Sequence, residues 1–333
     1  MVKKRILSGM RPTGKLHLGH LVGALNNWVR LQSEYECFFM AADWHALMSE
    51  YENSKIIEDS LYDNVADWLA AGIDPNISTI FIQSQIPAHL ELYMAFSVLT
   101  PLGWLERCPT YKEQMRELKD RHISTYAFLG YPVLQAADIC LYKANVVPVG
   151  EDQLPHLELT REIVRKFNGL YKEIFPEPKP LLASVPRLLG LDGRKMSKSY
   201  NNFIALSDTQ DLIKKKTQSM FTDPKRIRKT DPGHPETCNV HSYFEIFAPE
   251  LKDKVASWCS KAQVGCTECK AILGEELIKF LGPFQEKRRH YLEDKKSELR
   301  DILDDGRARA EKVAAVTIKE VREAVRLAPC PIR

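Results

Sequence analysis

Hydrophobic positions in the first half of the chain fall into two alternating patterns. Short apolar or β-branched runs stand at 5–8, 37–41, 79–83 and 145–149. Each is too short for a helix and is apolar at neighbouring positions, as strands buried on both faces require. Longer amphipathic segments separate them; 54–71 is the clearest, closed by Gly72 and followed by Pro75. Strand, helix and strand in repetition predict a doubly wound α/β domain, a parallel sheet of these four strands with helices on both sides. After residue 200 the strand pattern fades, and 208–220, 251–260, 274–302 and 308–327 carry helical periodicity with many charges. The expected plan is an α/β domain over 1–200, an all-helical domain over 201–305, and a C-terminal helix within 306–333 that packs back towards the first domain. No internal repeat or low-complexity segment breaks that plan.

Composition changes this picture little. A chain of 333 residues with 44% hydrophobic content has enough material for a large core and two domains. Its net charge of only +3 gives no basic tail and no expectation of DNA binding. RNA contact would have to come from local clusters, Lys214-Lys215-Lys216 and Lys225-Arg226-Ile227-Arg228-Lys229, each of which reads first as a solvated helix face or loop. No apolar run approaches the roughly 20 residues that span a bilayer, so no membrane partner is expected. The basic N-terminus has too short an apolar stretch before Ser8 for a signal peptide, which points to a cytoplasmic protein. There, eight cysteines argue against a disulfide framework; Cys37, Cys108, Cys140 and Cys330 are scattered and read as inert thiols.

Two stretches suit phosphate chemistry. Thr13-Gly14-Lys15-Leu16-His17-Leu18-Gly19-His20 follows the first strand and opens a helix. Gly14 permits a tight turn, Gly19 lets a nucleotide approach the backbone, and His17 and His20 stand by a helix N-terminus, which favours anions. A pair of surface histidines is the plainer reading. Gly193-Arg194-Lys195-Met196-Ser197-Lys198-Ser199 crowds lysines and hydroxyls into one loop, able to neutralise charge on a triphosphate as its α-phosphate is attacked. Alone, such a loop is often merely solvated; the two motifs in this order on an α/β fold are another matter.

His17-Leu18-Gly19-His20 resembles the HIGH signature of class I aminoacyl-tRNA synthetases, and Lys195 to Ser199 spells their KMSKS signature. The resemblance extends over nearly the whole chain and implies a Rossmann-like catalytic domain. Compact length without an editing insertion is similar to the tryptophanyl and tyrosyl branch. Tyr131, Gln135 and Asp138 match a spacing common to both, where a carboxylate accepts from an indole N–H or a phenol O–H; many bacterial tryptophanyl enzymes have methionine where Gln135 stands. The opening strand separates the two. Tyrosyl enzymes place a tyrosine where this chain has Leu7, and an apolar wall suits indole. The stretch from Val147 through Gly150, Asp152 and Gln153 to Arg161 resembles the tryptophanyl signature, and charges from Glu158 to Lys166 read as a salt-bridged surface helix.

That likeness implies a set of roles. Leu7, Ser8, Gly9, His45, Tyr131, Gln135, Asp138, Val147, Val149 and Gln153 would bind L-tryptophan, with Tyr131 and Gln153 on its amino group. Met10, Arg11, Thr13, Gly14, Gly19, His20, Gly150, Asp152, Met196, Ser197 and Ser199 would bind ATP. His17, His20, Lys195, Lys198 and Lys112 would serve the reaction, in which the tryptophan carboxylate attacks the α-phosphorus in line and Mg2+ helps neutralise pyrophosphate. The adenylate then passes its acyl group to tRNA(Trp). The family acts as homodimers, and apolar helices in an insertion at about 85–130 would supply the interface.

Cys238, Cys259, Cys266 and Cys269 could form an all-thiolate set for zinc or an iron–sulfur cluster, or be buried thiols that happen to cluster. Some tryptophanyl enzymes carry a [4Fe–4S] cluster in the anticodon-binding domain on a similar spacing. The resemblance therefore implies that cluster, with Zn2+ second, in a bracing role that leaves amino-acid activation independent of it. The rivals are a tyrosyl-tRNA synthetase, a small nucleotidyltransferase and a non-charging RNA-binding relative. Intact His17, His20, Lys195 and Lys198 speak against the last.

Overall fold

The computed structural model describes residues 3–117, 122–182, 188–198 and 200–328. Strands β1 (Arg5–Met10), β2 (Glu36–Ala41), β3 (Ser78–Ile82), β4 (Val146–Val149) and β5 (Lys179–Leu182) make one parallel sheet ordered β3-β2-β1-β4-β5. The first four are the expected ones. The fifth is a correction: β5 was not expected, because it is an edge strand with little buried surface and no apolar run. Pro180 lies within it, and only an edge tolerates a residue that cannot donate to the ladder.

Period-two alternation sends neighbouring strand residues into different cores. Ile6, Phe39 and Ile80 face one side with Trp28 and Trp68, while Leu7, Phe38, Met40 and Phe81 face the other. The first crossover runs through α1 (Leu18–His20), a π turn at Leu21–Leu25 and α2 (Asn26–Leu31). The second uses α3 (Asp43–Glu50) and α4 (Lys55–Ala71), the latter ended by left-handed Gly72 at φ 110°. Between β3 and β4 lie α5 (Ala88–Ser97), α6 (Leu102–Glu106), α7 (Pro109–Glu117) and α8 (Tyr126–Leu141); α9 (Leu154–Leu170) leads to β5. On α9, Arg161 pairs with Glu158 and Arg165 with Glu162, the surface ion pairs expected there.

The remaining named elements are helical: α10 (Gln210–Gln218), α11 (Asn239–Phe247), α12 (Lys252–Ser260), α13 (Cys266–Arg289) and α14 (Lys296–Ala324). Leu273, Leu277 and Leu281 of α13 join the same core as Ile6 and Trp68, so the two regions share one apolar face. The expected boundary at 305/306 falls inside α14. α14 runs unbroken through it, and the chain turns instead at His290–Asp294 and Lys295, which leaves helical geometry at φ −135°, ψ 58°. A continuous supply of charged helix formers conceals that break in the sequence.

α14 packs along β3 and covers the edge of the sheet opposite β5. Arg309 donates to the carbonyl oxygens of Pro75 and Ser78 at 2.7 and 3.1 Å. The close approach is possible because residue 306 is glycine: a Cβ there would lie 1.8 Å from the Ile80 carbonyl oxygen. Gly306→Val is accordingly expected to destabilise the fold by about 2–4 kcal/mol, read as a lower urea midpoint. An unchanged midpoint would mean that α14 is not seated against β3 in solution.

Candidate active site

The chain leaves β1 towards β2 and β3 on one side and returns to β4 and β5 on the other, which makes the gap between β1 and β4 the switch point of the sheet. Open α/β sheets bind ligands outside the carboxyl ends of the strands there. A cavity of about 380 Å³ occupies this place. Leu7, Ser8, Gly9, Met10 and Arg11 come to it from β1 and the following turn; Val147, Val149, Gly150 and Gln153 come from β4 and its exit; His45, Tyr131, Gln135 and Asp138 close it from α3 and α8. Every residue assigned to tryptophan on sequence grounds therefore lines one cavity. Trp28, Met40, Met48 and Phe128 line it too and were not anticipated; they are apolar residues that pattern alone assigns to core.

Polar groups inside this apolar shell are held by one another. Asp138 accepts from His45 Nε2 at 2.9 Å, from His89 Nδ1 at 2.6 Å, and from Gln83 Nε2 at 2.8 and 3.0 Å. Burial alone would push its carboxyl up, yet the hydrogen bonds from His45 and His89 outweigh that and hold it below the usual carboxylate range. Tyr131 Oη lies 2.8 Å from His156 Nε2, and His156 Nδ1 lies 3.0 Å from Gln153 Oε1. Burial pushes His156 down to about 4, so a neutral ring joins the two residues assigned to the substrate amino group. Trp28 Nε1 donates to Ser8 Oγ at 3.0 Å.

The phosphate motifs meet beside this cavity without lining it. The His17 and His20 rings lie with centroids 3.8 Å apart, tilted by 45°, and His20 Nδ1 accepts from the His17 backbone N–H at 3.2 Å. Burial and then the nearby Lys198 push His17 down to about 3; burial, His17 and Lys198 also push His20 well below its ordinary value. The rings are neutral donors rather than cations, and with Nδ1 of His20 accepting, its hydrogen sits on Nε2. Gly19 is needed for packing, since a Cβ would meet His17 at 3.0 Å and the Met196 sulfur at 3.1 Å. Gly14, at φ +100°, turns the chain so that its carbonyl and that of Thr13 accept from Lys198 Nζ at 3.1 and 3.2 Å.

The loop carrying Lys198 is shaped by Asn202, whose amide receives Ser197 N–H at 2.9 Å and donates to Asp192 and the Lys195 carbonyl. Asn202 is buried, and no sequence signal marked it. Lys195 is exposed, and Asp152 is exposed with Gln153 donating to it at 2.9 Å. Lys112 is exposed on α7 and does not line the cavity. Ser199 lies outside the described residues.

The family model for class I tRNA synthetases of tryptophan and tyrosine matches residues 2–282. A tryptophan–tRNA ligase from Thermotoga maritima is 49% identical, over 97% of this chain and 99% of that one. The chain belongs to the tryptophan–tRNA ligases. Another, from Aquifex aeolicus, is 43% identical over 97% of this chain and 100% of its own length. The crystal structure of the Campylobacter jejuni tryptophanyl-tRNA synthetase complexed with ADP and tryptophan has a TM-score of 0.89 at 34% identity, covering 97% of this chain and 100% of that one. A tyrosyl enzyme from Archaeoglobus fulgidus, 20% identical with a TM-score of 0.65, shares the fold alone.

In this synthetase the four clustered cysteines line one small cavity between α11, α12 and α13, with Arg226, Val255 and Trp258. Burial and then the other three thiols push Cys269 up to about 12. Arg226 Nη1 lies 3.9 Å from Cys259 Sγ, so one member of the basic 225–229 cluster points inward. Gly233 allows close approach here, since a Cβ would fall 2.3 Å from Cys259 Sγ. An all-thiol donor set fits a soft, thiolate-bound group. Among the described residues, no three His, Cys, Asp or Glu side chains are arranged to hold a single metal ion.

Proposed function

We propose that this tryptophan–tRNA ligase binds L-tryptophan in the cavity between β1 and β4, with Asp138 accepting the indole N–H, and binds ATP along the turn at 13–20. The observation that carries the reading is the junction of the two motifs, Lys198 Nζ on the Thr13 and Gly14 carbonyls, two residues on from Arg11 of a cavity lined by all the tryptophan-assigned residues. Leu7, Val147 and Val149 give indole an apolar wall, while Tyr131 and Gln153 receive the amino group. Magnesium enters with ATP. The tryptophan carboxylate attacks the α-phosphorus, pyrophosphate leaves, and the acyl group then moves from the adenylate to the terminal ribose of tRNA(Trp). Neutral His17 and His20 donate hydrogen bonds to phosphate oxygens, and the lysines supply the cationic charge; no side-chain nucleophile takes part.

Burial, and then Arg11, pull Lys198 down to about 8. Its ammonium is therefore lost as pH rises through about 8. The kcat/KM for ATP should fall on that alkaline limb, and Lys198→Arg, which stays charged, should lose the limb. A limb that persists in the arginine variant assigns it to another group.

The homodimer and the cluster belong to the same reading. Met94, Val98 and Leu102 are exposed at 62%, 67% and 61% in the segment expected to form the interface. Sedimentation should return twice the chain mass; a monomer would exclude the interface. Cys238, Cys259, Cys266 and Cys269 would hold a [4Fe–4S] cluster, which supplies a rigid cross-link between helices. Their four soft donors around one small cavity suit a thiolate-bound group, a cluster first and zinc second. Iron and sulfide in anaerobically purified protein would support it; zinc alone would replace it. Amino-acid activation without tRNA should survive loss of the cluster while tRNA charging suffers; collapse of adenylate formation in cluster-free protein would sink that separation. Directly after Cys238, Asn239 donates to the Gly190 carbonyl at 2.8 Å and Tyr243 to that of Leu189 at 2.7 Å, so α11 also braces the Lys198 loop.

A further inference from the structure

Asp138 is fully supplied with donors before any substrate arrives. A carboxylate offers about four acceptor sites, and Gln83, His89 and His45 make four hydrogen bonds to it. The donors are not equivalent. Gln83 and His89 have no exposure, whereas His45 lines the cavity and meets only Oδ2. His89 is itself fixed from behind, its Nε2 standing 2.9 Å from the hydroxyl of buried Tyr142, which stacks on Phe38. A carboxylate only accepts, so His89 Nδ1 carries the hydrogen facing Asp138. In the neutral ring this leaves Nε2 to accept from the Tyr142 O–H.

We propose that His89, locked in this tautomer by Tyr142 and assisted by Gln83, is a positioning residue for substrate selection: it clamps the inner edge of the Asp138 carboxylate so that the indole N–H takes the Oδ2 site that cavity-lining His45 holds in the free protein. The clamp touches neither substrate nor ATP. Its effect is on which amino acid is chosen, because an ionised, immobile acceptor rejects a ring that offers no hydrogen at that point. Burial and Asp138 raise the Tyr142 hydroxyl well above its ordinary value, which keeps its hydrogen in place. None of Gln83, His89 and Tyr142 was a candidate from sequence.

The inference rests on the assignment of Asp138 to the indole N–H, and the test separates the two. Adenylate formation is measured with tryptophan and with 3-benzothienylalanine, in which sulfur replaces the N–H, and the ratio of their kcat/KM values is taken. That ratio is insensitive to the fraction of active enzyme, so misfolding cannot imitate the effect. Wild type should prefer tryptophan by about 10–100-fold. His89→Leu should lower the preference about ten-fold, Tyr142→Phe should lower it by less, and His89→Asn, which returns a donor near Nδ1, should restore part of it. Where His89→Leu fails to fold, Tyr142→Phe decides. If Asp138→Ala abolishes the preference while His89→Leu and Tyr142→Phe keep it at the wild-type value, the clamp is wrong and the pocket stands. If Asp138→Ala itself keeps the preference, the assignment of Asp138 falls, and the clamp with it.

Discussion

Lys198→Ala should slow formation of the tryptophanyl adenylate by about 10²–10³-fold, with a far smaller effect on tryptophan affinity. The ammonium sits where the two phosphate motifs touch, on the carbonyls of Thr13 and Gly14. In the free protein those carbonyls are its partners; as charge builds on departing pyrophosphate, a stronger anionic partner becomes available at the same place. An interaction gained mainly in the transition state lowers kcat, whereas uniform binding would raise KM. Single-turnover kinetics at saturating ATP, beside a tryptophan binding titration, separates the two. Losses of equal size in rate and in tryptophan affinity would assign Lys198 to holding the loop in shape.

Asp138→Ala has the second large expected effect, a fall of about 10–100-fold or more in kcat/KM for tryptophan. That corresponds to a charge-assisted hydrogen bond of roughly 1.5–3 kcal/mol. ATP affinity should stay close to wild type, because the ATP-assigned turn at 13–20 makes no hydrogen bond to Asp138 among the described contacts. The variant also strands the buried donors of Gln83 and His89, at about 1–3 kcal/mol each. Its thermal midpoint should therefore fall with the activity. Parallel loss of ATP binding would show that Asp138 holds the fold and not the substrate.

How far the sequence could be read depended on how local the determining physics is. β1 to β4 were legible because each is a short apolar run whose residues alternate into two buried cores. β5 was not, because an edge strand with a proline and mostly exposed side chains leaves no such run. The turn between α13 and α14 was hidden for the opposite reason: helix formers continue across it. Site residues followed the same division. The motif residues and the Tyr131, Gln135 and Asp138 spacing are local features, and the cavity gathers those assigned to tryptophan. Gln83 and His89 act through Asp138, about fifty residues away, while His156 and Asn202 act through neighbours whose geometry only the fold supplies. Gln83 alone left a trace, a polar residue at the carboxyl end of a buried parallel strand, where such folds place ligand-facing groups. Lys112, assigned to phosphate by resemblance, is exposed on α7 and, like the residues of the two phosphate motifs, does not line the cavity.

Selective activation of tryptophan is read from ATP–pyrophosphate exchange. Protein purified without oxygen would be assayed with each of the common amino acids in turn, in the absence of tRNA. Exchange is expected with tryptophan alone. Exchange with tyrosine at a comparable rate would contradict the reading of Leu7 and Asp138, and no exchange in folded protein would contradict the catalytic assignment altogether.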